Sequence, residues 1–125
     1  MGSYKEPIDG YGFSSLLALI LKTFDGQVRF RISSLEESQI NEEVISLYGM
    51  YPTTLVPHLH IPLQSGSETI LKAMRRKYDL KSFIELTDTL KRRFEYLALS
   101  TDVIVGFPGE TEELFMETYN FIEKV

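Results

Sequence analysis

The sequence predicts an α/β fold: a partial (β/α) barrel fragment with about three parallel strands and four to five helices. Three observations carry that prediction. Apolar spacing switches several times between helical and strand period along the chain. The resulting order is helix, strand, helix, strand, two helices, strand, helix, the alternation of a parallel sheet with right-handed crossovers. Each strand-like run also has one polar face. An ordinary eight-stranded barrel is filled by bulky aliphatics, so these polar faces predict an interior wide enough to hold a ligand.

The elements follow in order. Phe13, Leu16, Leu17, Ile20, Leu21 and Phe24 form one apolar helix face, which Asp25-Gly26 ends, with Gly26 suited to a left-handed cap. Gln27 to Ser34 alternates, with Val28, Phe30 and Ile32 on one side and Arg29, Arg31 and Ser33 on the other. Ile40, Val44, Leu47 and Tyr48 line a helix capped by Asn41 and closed by Gly49. Pro52 and Pro57 bracket an extended connection to His58–Ser65. There Leu59, Ile61 and Leu63 oppose His58, His60, Pro62 and Gln64. Ser67 N-caps a short helix carrying Ile70, Leu71 and Met74, and Asp79 caps a longer one with Phe83, Leu86, Leu90 and Phe94. Ala98 to Val105 is the third strand, with Thr101, Val103 and Val105 opposite Ser100, Asp102 and Ile104. Gly106 to Gly109 turns, and Thr111 caps a last helix bearing Leu114, Thr118, Phe121, Ile122 and Val125, with Glu112 and Glu113 in the first turn, where the helix dipole favours them.

Composition narrows the function classes. The 125 residues contain no cysteine, which excludes disulfides, thiolate metal sites and thiol nucleophiles within this stretch. Thirteen basic and eighteen acidic residues leave a net charge of −5, a poor electrostatic trap for nucleic acid by itself. Lys72, Arg75, Arg76, Lys77 and Lys81 nevertheless cluster, and Glu110, Glu112, Glu113 and Glu117 gather near the end. Solvated helix faces account for most of these charges. No apolar run reaches the roughly 20 residues of a membrane span. With no secretion signal in view, the expectation is a cytoplasmic protein. Residues 1–10 are read as an added start or loop, and residues 11–125 as the barrel segment. A three-stranded parallel sheet has two open edges, so further strands of the same chain are expected on each side, and the segment is expected to be inactive alone and to self-associate through those edges.

Three local patterns offer chemistry, each beside a plainer reading. His58-x-His60 sets two imidazoles on one strand face. These are the only histidines, and a catalytic metal needs a third protein ligand, for which only Asp102 is placed. Two hydrogen-bonded interior histidines explain the pattern as well. Gly106-Phe107-Pro108-Gly109-Glu110 lacks the spacing of phosphate-binding loops. It does lie at the C-terminal end of a strand, the edge where ligands sit in parallel α/β folds. Gln64-Ser65-Gly66-Ser67 lies at the equivalent end of the middle strand, where its polar side chains can bond sugar hydroxyls or Ser67 can simply cap a helix.

Taken as a series, the stretches His58-Leu-His-Ile-Pro-Leu-Gln-Ser-Gly-Ser67, Ile70-Leu-Lys-Ala-Met-Arg-Arg-Lys-Tyr78 and Thr101-Asp-Val-Ile-Val-Gly-Phe-Pro-Gly-Glu-Thr-Glu-Glu113 resemble the radical S-adenosylmethionine methylthiotransferases in content, order and spacing. Arg31-Ile-Ser-Ser-Leu-Glu36 fits the strand before them. The resemblance covers about residues 11 to 125. It implies a six-stranded partial barrel and S-adenosylmethionine as cofactor. It also implies two [4Fe–4S] clusters, one held by a Cys-x-x-x-Cys-x-x-Cys loop and one by an N-terminal domain, whose ligands this chain lacks. The implied reaction inserts a methylthio group at a C–H bond after a 5′-deoxyadenosyl radical has removed the hydrogen. Ser-Gly-Ser at 65–67 and Ser33-Ser-Leu-Glu36 resemble the tRNA-modifying branch, and most of all the members acting on threonylcarbamoyladenosine at tRNA position 37. A ribosomal-protein methylthiotransferase, a barrel metallohydrolase and a non-catalytic binding fragment stay open as alternatives.

By the same resemblance, Gln64, Ser65 and Ser67 face the ribose and methionyl part of S-adenosylmethionine. Ser34 and Glu36 sit where a carboxylate receives the methionyl ammonium, and Arg76 pairs with the methionyl carboxylate. Ile104, Val105 and Gly106 meet the adenine. No catalytic residue and no metal ligand is assigned within the segment.

Overall fold

The computed structural model describes residues 12–125; the reading of residues 1–10 lies outside them. The elements in order are α1 (Phe13–Thr23), a 3-10 turn (Glu37–Gln39), α2 (Glu42–Met50), β1 (His58–His60), α3 (Glu68–Ala73), α4 (Leu80–Arg93), β2 (Ala98–Ser100) and α5 (Glu112–Ile122). β1 and β2 pair in parallel, with Leu59 opposite Leu99. Isolated parallel bridges join Phe30 to Leu55, Ser34 to His60 and Gln64 to Val103. Three strand-like runs therefore lie side by side in chain order, all parallel, as the alternation requires.

The first run is weaker than its alternation predicts. Instead of a continuous strand over 27–34 it touches the sheet at two places. The Phe30 amide donates to the Thr54 carbonyl at 2.7 Å and the Leu35 amide to the His60 carbonyl at 3.1 Å. Val28 precedes the first bridge and is 48% exposed, whereas Ile32, between the bridges, is 5% exposed. Alternation fixes a face only where pairing fixes the strand. Pairing around β1 continues past its named ends: Ile61 donates to the Ser100 carbonyl, Gln64 to the Asp102 carbonyl, and Ile104 returns a bond to the Gln64 carbonyl.

Side-chain caps form at three helices. Asn41 accepts from the Val44 amide, Asp79 from Ser82 and Thr111 from Leu114. Ser67 occupies the cap position of α3 but its hydroxyl makes no capping bond. Gly49 does not close α2. The helix runs through it to Met50, and the Tyr51 amide ends it by donating to the Leu47 carbonyl. A Cβ at Gly49 would meet the Phe94 ring at an ordinary contact distance of 3.8 Å, so neither a turn nor packing demands glycine there. Gly26 does take the left-handed conformation, at φ +70°.

The core lies on one side of the sheet. Leu59, Ile61 and Leu63 are at most 1% exposed. They pack in one cluster with Leu17 and Leu21 of α1, Val44 and Leu47 of α2, and Phe83 and Leu90 of α4. The helices therefore cover the apolar face, and the face carrying His58 and His60 is left to line an interior.

Candidate functional site

The polar face is held by a directed chain of hydrogen bonds. Arg31 Nε lies 3.3 Å from His58 Nδ1, and Arg31 Nη2 lies 3.0 Å from His58 Nε2. Ser100 Oγ stands 2.9 Å from His58 Nε2 and 3.0 Å from His60 Nδ1. His60 Nε2 reaches Asp102 at 3.1 Å. A neutral imidazole donates from one nitrogen and accepts at the other, and a hydroxyl has one proton. One assignment satisfies the row apart from the approach of Arg31 Nη2 to His58 Nε2, where two donors face each other. Arg31 donates to His58 Nδ1, His58 Nε2–H to Ser100, the Ser100 hydroxyl to His60 Nδ1, and His60 Nε2–H to the Asp102 carboxylate. Arg31 and Asp102 end the row, one on either side of the two imidazoles and the Ser100 hydroxyl.

Burial, the Arg31 cation and His60 hold His58 below the ordinary imidazole range. The sign of the consequence follows. Between that lowered value and the unfolded value of about 6.5, the unfolded chain binds more protons, so stability rises with pH there. Acidification through about pH 6.5 should therefore lower the thermal midpoint, and His58→Gln should flatten that acid limb. Thermal melts between neutral and mildly acidic pH check it; a His58→Gln profile parallel to the unsubstituted one would count against the assignment.

At the C-terminal edge of β1 the chain turns sharply. Gln64 has a φ of +66°, uncommon for a residue with a side chain. The Ser65 amide donates back to the Leu63 carbonyl at 2.8 Å, closing a γ-turn about Gln64. The Tyr78 hydroxyl lies 2.6 Å from the Leu63 carbonyl and 3.1 Å from that of Pro62, and so ties the strand end down. Burial raises the Tyr78 phenol above its ordinary range, which keeps it a donor there. Nothing in the local sequence singled out Tyr78 for this task, and the left-handed Gln64 carries no glycine to signal it.

The turn delivers the predicted residues unequally. Gln64 is 9% exposed and Ser65 fully buried. The Ser65 hydroxyl is 3.0 Å from Thr118 Oγ1 on α5 and accepts from the Ser67 amide at 3.1 Å, so it faces the helix rather than open space. The Gly66 amide also donates to Thr118 Oγ1, at 3.0 Å. The Ser67 hydroxyl is buried with no partner among the described residues.

Ser34, Glu36 and Arg76 come together beside this turn. Ser34 bridges to His60. The Glu36 amide donates to the Gln39 side chain at 3.1 Å, ordering a 3-10 turn that the sequence pattern did not reveal. An Arg76 nitrogen lies 3.8 Å from a Glu36 carboxylate oxygen. That distance is too long for a hydrogen bond, and both side chains are partly exposed, so the pair is loose and opening it costs little. Arg75, at φ +57°, reverses the chain after α3, and the Arg76 amide returns to the Leu71 carbonyl. Ile104 and Val105 are 43% and 63% exposed at the end of the third run. The amide of Gly106, one of the residues expected to meet the adenine, is engaged by the Glu110 carboxylate. Both Gly106 and Gly109 have positive φ, as their turn requires.

A rim of partly paired polar groups at the C-terminal edge of parallel strands, above a polar wall, is a ligand-binding arrangement of an α/β barrel. Residues 2–122 match the radical SAM superfamily model, and the chain belongs to that superfamily. Among characterised relatives it is similar to the threonylcarbamoyladenosine tRNA methylthiotransferase MtaB of Bacillus subtilis (strain 168), at 51% identity over 98% of this chain and 27% of the relative. It is also similar to the tRNA-2-methylthio-N(6)-dimethylallyladenosine synthase of Lawsonia intracellularis, at 43% identity over 96% of this chain and 26% of the relative. The MtaB of Thermotoga maritima is 40% identical over 93% of this chain and 27% of its own length. The chain thus spans about a quarter of the length of these relatives.

Superfamily membership implies S-adenosylmethionine and an iron–sulfur cluster in the intact protein. The residues present fit the first. The loose Glu36–Arg76 pair matches the opposite charges of an α-amino acid head group, and the buried Ser67 hydroxyl has no partner among the described residues. They do not fit the second, because cluster iron is ordinarily held by thiolates and the chain has no cysteine. No helix among the described residues is long and apolar enough to cross a membrane.

Proposed function

We propose that residues 11–125 form the central and later part of the catalytic barrel of a methylthiotransferase that modifies an adenosine of tRNA, at position 37, most like the enzymes acting on threonylcarbamoyladenosine. The observation that carries this reading is 51% identity to such an enzyme along 98% of the chain. The loose Glu36–Arg76 pair at the rim supports it. The intact protein acts in the cytoplasm and carries two [4Fe–4S] clusters on parts of its chain outside this one.

S-adenosylmethionine, when bound, supplies the fragment that removes the hydrogen from the C–H bond to be replaced. This chain's residues hold and orient it. Glu36 receives the methionyl ammonium and Arg76 the methionyl carboxylate, a geometry that suits the planar guanidinium. Ser34, Gln64 and Ser67 bond the polar body of the ligand. Ser65 acts through its tie to Thr118, fixing the turn that presents Gln64 and Ser67. Ile104, Val105 and Gly106 meet the adenine, a role that the exposure of Ile104 and Val105 supports. Taken alone, the chain has no activity and self-associates, covering its open sheet edges and apolar groups such as Val105, Met116, Tyr119 and Ile122.

The test uses the intact protein. Incubated anaerobically with reductant, S-adenosylmethionine and a sulfur source, it should replace one C–H of threonylcarbamoyladenosine in tRNA by C–SCH3, read as a mass gain on the isolated nucleoside. Products confined to a ribosomal protein, or no methylthio product on any tRNA adenosine, would reject the reading.

A further inference from the structure

We infer that Arg31, at the deep end of the polar wall, takes the carboxylate of the substituent carried by the substrate adenine, and so sets which modified adenosine is accepted. The inference rests on the methylthiotransferase reading and names the part of the substrate that this wall receives. Arg31 lines an open cavity of about 310 Å³ with Ser33, Ser34, His58 and His60. Among the described residues no carboxylate lies within ion-pair distance of its guanidinium; the ion pairs formed there belong to His60, Arg76, Lys81 and Arg93. Its near neighbour is His58, whose ring packs along the guanidinium and fixes its direction. With that imidazole held below its ordinary range, no described residue cancels the positive charge that faces the cavity. His58 takes the Nε/Nη2 side of the guanidinium; the Nη1 end, with Ser33 lining the same cavity, is left to receive a carboxylate.

Depth agrees with the length of the group to be bound. Ser34 lies where the first run meets His60, four residues before the Gln64 turn on the neighbouring strand. Arg31 lies three residues further in, about 10 Å at strand rise. A threonylcarbamoyl group projecting from adenine ends in a carboxylate and a hydroxyl and has about that reach. The relatives' names divide between this group and dimethylallyl, which is pure hydrocarbon. Seating a hydrocarbon against Arg31, Ser33 and His58 would strip water from polar groups and return no bond, and sites built around polar contacts reject such analogues strongly.

The experiment measures binding rather than turnover. The intact protein is titrated, without reductant, with anticodon stem–loop RNAs whose adenosine carries threonylcarbamoyl, its neutral methyl ester, or dimethylallyl. The acid should bind roughly tenfold or more tightly than the ester, a gap worth about 1.4 kcal/mol per factor of ten. Arg31→Met should erase that gap while leaving affinity for the unmodified RNA unchanged, and Arg31→Lys should retain part of it. Equal affinity for acid and ester in the unsubstituted protein overturns the inference, and this comparison needs no variant to fold. Discrimination surviving Arg31→Met overturns it too. A preference for dimethylallyl, with methylthio product still formed, rejects the role of Arg31 and leaves the enzyme class standing. Failure to form methylthio product on any of these substrates removes the reading beneath it.

Discussion

Gly66→Ala should destabilise the fold by about 3 kcal/mol, at the upper end of what overpacking one methyl group costs. The Cβ it adds would lie 2.7 Å from both the Thr118 Cα and the Phe121 Cβ. Neither contact is the tip of a flexible side chain, so no rotamer change relieves them. The same shift would stretch the 3.0 Å bond from the Gly66 amide to Thr118 and the bond between Ser65 and Thr118. Urea unfolding followed by circular dichroism gives the value. A variant within about half a kcal/mol of the unsubstituted chain, the usual range for surface changes, would show that α5 yields more easily than its contacts indicate.

Leu59→Ala should cost a similar amount, about 3 kcal/mol. Leu59 is fully buried, sits at the centre of the paired segment opposite Leu99, and belongs to the main core cluster. Truncation removes transfer energy and leaves a cavity, because a sheet backbone bonded to its neighbour cannot collapse to fill it. For a chain of this size the thermal midpoint should fall by about 10 °C. The matching change on the opposite face, His60→Ala, should cost less, since that side borders open space. Equal losses at the two positions would mean that the faces are not divided as described.

Much of this division was legible in the sequence, because it rests on alternation. Leu59, Ile61 and Leu63 had to share one side of a strand and His58 and His60 the other, and a slip of one residue would have buried the imidazoles. The caps at Asn41, Asp79 and Thr111 were readable for a similar reason: a short polar side chain just ahead of a helical period has one obvious partner. The features that local sequence does not reveal have determinants distant in the chain. Ser65 looked like a ligand contact until Thr118, 53 residues away, took its hydroxyl. Tyr78 gave no sign that it would hold the carbonyls of Pro62 and Leu63. Gln64 adopts a backbone state that local preference assigns to glycine, and its bonds to Asp102 and Ile104 hold it there. The first strand-like run failed in the other direction. Its pattern was regular, but among the described residues it pairs on one side alone, and Val28 stays outside the sheet.

The seam at Gly66 has a consequence for how this protein can diverge. Thr118 meets residue 66 with main-chain Cα, which no substitution at 118 can make smaller. A larger residue at 66 is therefore accommodated only by moving α5 as a body. That helix is fed by the Gly106–Gly109 turn, so displacing it drags the loop that follows Ile104 and Val105. One added methyl group just past the end of the middle strand would thus move two of the loops around the mouth together. Changes of specificity are expected to accumulate in side chains that project into the cavity, while the loops that carry them keep their mutual spacing.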